Sequence, residues 1–103
     1  MEQLEKKTYY IILFSYYKKL LTEKKQQIFT YYYEQDYSIT EISEELNVSR
    51  NAVFDTLKKV TNELEHYEAL LMLYAKEKQR EALYQKHENE ATKALIKELR
   101  EME

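Results

Sequence analysis

Not one glycine or proline occurs anywhere in the 103 residues. Those are the two residues that end helices, shape tight hairpins and release a chain from regular structure. A chain without them, and rich in Lys, Glu and Leu, is predicted to be all-α. The same absence rules out a glycine-rich phosphate loop, so nucleotide hydrolysis by this chain is not expected. There is also no cysteine, hence no disulfide and no thiolate metal site. The start, MEQLEKKTYY, is too polar for a signal peptide. No apolar run approaches the roughly 20 residues of a membrane span. A cytoplasmic protein is the expectation.

Apolar periodicity places the helices. Over residues 5 to 21, Tyr9, Leu13, Tyr16 and Leu20 recur at alternating spacings of four and three. Tyr10, Phe14, Tyr17 and Leu21 repeat that pattern beside them. Two adjacent stripes make a wide face that must be buried. Thr22 is placed to cap a second helix over 23 to 34, with Ile28, Phe29, Tyr32 and Tyr33 turned inward. Consecutive helical residues point about 100° apart, so at least one phenol of the Tyr31-Tyr32-Tyr33 run should reach water.

Ser38 and Glu41 have capping-box spacing and open a third helix at about 39 to 46. Asn47 and Val48 make the turn, Asn being the non-glycine residue best suited to a positive φ. Ser49 caps a fourth helix. Its stripe of Val53, Leu57, Val60, Leu64, Tyr67, Leu71 and Tyr74 keeps a seven-residue repeat for three heptads, which carries the helix to about residue 75. After Tyr74, Lys78 and Glu81 fall on the seam. Residues 76 to 103 read as a charged, loosely anchored helical extension ending in a short amphipathic helix around Leu95, Ile96, Leu99 and Met102. The division is a domain at 1 to 75 and an extension at 76 to 103.

The stretch ISEELNVSRNAVFDTLKKV is the cadence of a helix-turn-helix, with Ile42, Leu46, Val48 and Val53 packing its two helices together. Ser43 stands where the motif usually has Ala, and Asn47 where it usually has Gly. On the outer face of the second helix lie Arg50, Asn51, Phe54, Asp55 and Lys58, the first two where base-reading side chains usually sit. Phe54 either stacks on an unpaired base, fills a pocket on a protein, or tucks under the first helix or a second subunit.

Charge runs against duplex DNA. Residues 34 to 49 hold Glu34, Asp36, Glu41, Glu44 and Glu45 and no Lys or Arg. Residues 31 to 75 hold three basic side chains, Arg50, Lys58 and Lys59, against nine acids. Duplex affinity rests on Lys and Arg releasing counterions, and an acidic motif is the opposite of that footprint. The better basic candidates are Lys6, Lys7, Lys18, Lys19, Lys24 and Lys25, or else these form a merely solvated face. Nothing catalytic is evident. Neither His66 nor His87 has a ligand at i+3 or i+4 that would make a metal site, and no cofactor is expected.

From LFSYYKKLLTEKKQQIFTYYYEQDYSITEISEELNVSRNAVFDTLKKV to NELEHYEALL the chain resembles the YlxM family. These are small helix-turn-helix proteins related in fold to the sigma-factor region that reads promoter −35 elements. The resemblance covers about residues 10 to 85. It departs at Glu23, where the family commonly has Pro, and beyond about residue 86. It implies a non-enzymatic accessory or regulatory role in the signal recognition particle pathway, through contact with the particle's RNA, its GTPase, or both. A dimeric DNA-binding transcription regulator is the alternative, and a purely structural interaction module a third. Arg50, Asn51, Phe54, Lys58 and Lys59, with Lys18, Lys19, Lys24 and Lys25, are the expected contact residues. Leu64, Tyr67, Leu71 and Tyr74 form the seam along which a second copy is expected to pack.

Overall fold

A computed structural model describes residues 3–103. The described residues are helical throughout, with no strand: α1 (Gln3–Tyr17), α2 (Glu23–Phe29), α3 (Ile39–Leu46), α4 (Arg50–Leu71), α5 (Leu73–His87) and α6 (Lys93–Glu101). The fold is all-α, as predicted from the missing Gly and Pro. A single 3₁₀ turn (Lys18–Leu20) extends α1, and a π turn (Thr30–Glu34) extends α2.

The starts of α2, α3 and α4 are each set by a side chain that satisfies an otherwise orphaned backbone N–H. Thr22 accepts from the Lys25 N–H, and Ser49 from the Ala52 N–H. Ser38 and Glu41 form a complete reciprocal capping box. Asn47 takes the left-handed conformation at φ 54°, and the Val48 N–H closes back on the Ser43 carbonyl at 3.0 Å. These contacts fix the entry, the turn and the exit of the helix-turn-helix formed by α3 and α4.

The core belongs to the unit that ends at Met72. Tyr10, Leu13, Phe14, Tyr17 and Leu21 from the α1 segment meet Ile28 and Phe29 of α2, Ile42 of α3, and Val53, Leu57, Val60 and Leu64 of α4. Of the two stripes on α1, the one running from Tyr10 to Leu21 is buried throughout, while the other buries Leu13 and leaves Tyr9 and Tyr16 half-buried and Leu20 exposed. Burying each such side chain contributes roughly 1.5 to 3 kcal/mol. Ser43, at the position where the motif usually has Ala, is buried, and its hydroxyl donates to the Thr40 carbonyl at 2.7 Å.

Two expectations are corrected. The fourth helix ends at Leu71, before Tyr74, because Met72 turns to φ 54° and its N–H caps the Glu68 carbonyl. Leu64 is fully buried by its own chain and is therefore core rather than part of a seam. Tyr67 is half-buried, and its ring lies 6.0 Å from that of Tyr17 on α1. The second unit, Leu73–Glu103, is an α5–α6 pair with Ile96 as its buried apolar side chain. Arg100 reaches Glu81 at 2.8 Å and Glu88 at 3.5 Å, while Glu103 receives both Arg80 and the Tyr84 hydroxyl. No helix of the described residues is long and apolar enough to cross a membrane.

Candidate functional site

The first two turns of α4 project Arg50, Asn51, Phe54 and Lys58 outward along one strip, because Val53 and Leu57 are turned into the core. Phe54 is 55% exposed. It tucks under neither α1 nor any other part of its own chain. Instead it separates two depressions. One lies between the start of α3 and the start of α4, lined by Ile39, Ser49, Arg50, Asn51 and Phe54. The other runs from Phe54 past Lys58 and Thr61 to Tyr32 and Tyr33. A third, of ≈ 430 Å³, shares Tyr32, Tyr33 and Thr61 with the second and continues to Tyr10, Lys6 and Lys7. The three adjoin one another in a row and share lining residues, and together they form a groove.

Its floor is aromatic for a reason that starts in the core. Phe14 stacks on Phe29 with centroids 4.1 Å apart, and Phe29 stacks on Tyr33 at 4.5 Å. Tyr32 then meets Tyr33 edge-on at 5.0 Å, and Tyr10 does so at 6.1 Å. The π turn spreads the three consecutive tyrosines: Tyr31 leaves the groove and stacks on Tyr37 at 4.8 Å. The turn closes where the Gln35 N–H reaches the Thr30 carbonyl at 3.0 Å. All three tyrosines are half-buried, so each keeps some contact with water. Burial and the neighbouring Tyr32 push the Tyr33 phenol up from its ordinary range, so it stays a neutral hydrogen-bonding group.

Among the described residues no carboxylate lines any of the three depressions, although the segment as a whole is acidic. Several of its acids are committed elsewhere. Glu63 pairs with Lys25 at 2.5 Å, Glu65 accepts from the Tyr10 hydroxyl at 2.6 Å, and Glu68 from the Tyr17 hydroxyl at 2.5 Å. They tie α4 to α1 and α2. Asp36 pairs with Lys7 at 2.7 Å, just outside the groove's wall. Glu44 and Glu45 stay exposed on α3.

The lysines expected to form one basic face are divided. Lys18 sits 5.7 Å from the Phe14 ring centroid and lines a separate polar depression with Glu23, Gln27 and Tyr31. Lys25 is held by Glu63. Lys19, Lys24 and Lys59 are exposed and line none of the three connected depressions. Arg50, Asn51, Phe54 and Lys58 are brought together, and Lys6 and Lys7 join them along the groove. Tyr10, Tyr32, Tyr33 and Thr61 were missed as groove-lining groups. Their apolar spacing is that of a core face, and only the unburiable Tyr run hinted otherwise. No group of three or more His, Asp or Glu side chains among the described residues is arranged to hold a metal ion.

Comparison with known proteins bears on this arrangement. The model of a helix-turn-helix family described as YlxM / p13 like matches residues 4–102. The chain belongs to this family. Relatives in it include a UPF0122 protein of Listeria welshimeri, 44% identical over 61 residues, covering 59% of this chain and 56% of the relative. One from Oceanobacillus iheyensis is 50% identical over 54 residues, covering 52% of this chain and 51% of the relative. One from Bacillus velezensis is 38% identical over 79 residues, covering 69% of this chain and 72% of the relative. Against the Listeria relatives the matched stretch spans little more than half of their length. The family is described by its motif and not by any enzymatic activity.

Proposed function

We propose that this chain is a non-enzymatic accessory factor of the signal recognition particle pathway that binds the particle's RNA through the outer face of its helix-turn-helix. The pathway comes from the resemblance to the YlxM family. The choice of RNA rests on one observation: α4 exposes Arg50, Asn51, Phe54 and Lys58 together, and no ion pair among the described residues engages either cation. Unsatisfied cations beside an exposed aromatic suit a phosphate chain with accessible bases. Duplex DNA fits less well, since the first helix of such a motif crosses the duplex backbone and α3 there shows Glu41, Glu44 and Glu45.

An anisotropy titration of the protein against particle RNA and random duplex DNA, at two salt concentrations, tests this. Tighter, salt-dependent binding to the RNA supports it. Equal weak binding to both, with a shallow salt slope, removes nucleic acid and leaves the GTPase as the partner. Tighter binding to the duplex would instead favour the dimeric transcription regulator. Leu70 and Leu71, 67% and 44% exposed at the end of α4, support a second copy as cover for that face. Light scattering of wild type against Leu71→Lys measures it: a wild type already monomeric at high concentration rejects the dimer.

A further inference from the structure

The groove reaches well past the helix-turn-helix. From Arg50 and Asn51 at the start of α4 it passes Phe54, crosses Tyr32 and Tyr33, and ends at Lys6 on α1. We infer that this whole track holds an unpaired, single-stranded stretch of RNA, with Phe54 as a stacking face for a base and Lys6 and Lys58 against its phosphates. This rests on the proposed role in binding RNA and specifies which form of RNA is bound and where.

Four features select that occupant. The first is the alternation of surfaces: aromatic and apolar walls at Phe54, Ile39, Tyr32 and Tyr33 lie between cations at Arg50, Lys58 and Lys6. Single strands are held in this way, by bases stacked on aromatic rings and a backbone tracked by positive charge. The second is sign. Among the described residues the groove is lined by cations and by no acid, in a segment whose other exposed charges are largely negative, so an anionic chain is favoured inside it and repelled beside it. The third is α3. A duplex docked on α4 would bring its backbone against Glu44 and Glu45, whereas a strand lying in the groove meets α3 only at Ile39. The fourth is rigidity. The floor tyrosines are backed by the ring stack from Tyr33 through Phe29 to Phe14, so the platform is formed before any ligand arrives.

The test uses the full chain, a labelled oligouridylate, and an RNA duplex of equal length, read by anisotropy at two salt concentrations. The single strand is expected to bind more tightly than the duplex. Phe54→Ala should weaken binding roughly 5- to 150-fold, the worth of one stacked base, and Phe54→Trp should restore it. Lys6→Gln and Lys58→Gln should each flatten the salt slope by about 0.7, the share of one phosphate contact on a single strand. Phe54 lies outside the core, and far-UV circular dichroism of each variant confirms that it is folded. Duplex binding as tight as single-strand binding overturns the inference. So does a folded Phe54→Ala variant with wild-type affinity, and if that variant still binds particle RNA, the accessory role survives without the groove. A wild-type chain that binds neither oligouridylate nor particle RNA overturns both.

Discussion

Tyr10 shows how a residue can read as plain core and still carry polar work. Its ring is buried, yet its hydroxyl donates to Glu65 at 2.6 Å, joining α1 to α4 beside the groove. A hydrogen bond to a carboxylate is worth about 1.5 to 3 kcal/mol, and solvent at the exposed Glu65 lowers this one below that range. Tyr10→Phe should therefore lower stability by about 1 kcal/mol in urea unfolding at neutral pH. The pH dependence follows from the phenol's shift. Burial first, then the Glu65 bond, push its ionisation up. The unfolded chain consequently loses this proton first, at about pH 10, while the folded chain keeps it. The contribution is complete below pH 10 and is lost as the pH rises beyond it. The gap between wild type and Tyr10→Phe should narrow when the melts are repeated above pH 10. A gap that stays constant would mean that the phenol's proton is not linked to folding.

The turn between α3 and α4 was legible because its chemistry is local. Ser38, Glu41, Asn47 and Ser49 each meet a need of the backbone within four residues, and each takes the role its type implies. Asn47→Ala should cost about 1 kcal/mol, since a β-carbon without a polar group is disfavoured at positive φ. Asn47→Gly should be close to neutral in the same denaturation assay. The end of α4 was not legible. Leu71, Met72 and Leu73 continue an apolar helical run with no Gly or Asn to announce a stop, and Met at φ 54° contradicts its own preference. The seam was misread at Leu64 for a related reason. A heptad stripe says which residues face inward but not which partner covers them, and α1 reaches farther along α4 than its length suggested. Leu64→Ala should then cost about 2 to 5 kcal/mol at any protein concentration, as a core cavity does. A cost that grows with dilution would return Leu64 to an intermolecular seam. The groove was half legible: its α4 rim could be read from the motif, whereas the half-buried Tyr32 and Tyr33 lie in a π turn, a backbone choice with no sequence signature of its own.

The two units rest on different forces, and this decides how each responds to its surroundings. The unit ending at Met72 holds twelve of the thirteen buried apolar residues among those described, so burial sustains it and salt leaves it largely intact. Leu73–Glu103 has Ile96 alone, with the rest supplied by exposed ion pairs. Such pairs are individually weak and are screened once the Debye length falls to about 3 Å at molar salt. A segment this short, with so little core, is below the size that ordinarily folds by itself. A peptide of residues 73–103 should accordingly show little helical circular dichroism, and less still at high salt, while a chain ending at Met72 keeps a single cooperative unfolding transition. Acid should act on the extension in the same sense as salt. Arg80 first, then Tyr84, hold the Glu103 carboxyl below its ordinary range, so that contribution is present at neutral pH and is lost as the pH falls through the folded value. Glu103→Gln in the full chain should remove that acid sensitivity and leave the unfolding of residues 3–72 unchanged. A cooperative, salt-insensitive transition in the isolated 73–103 peptide would show that the extension has a core of its own.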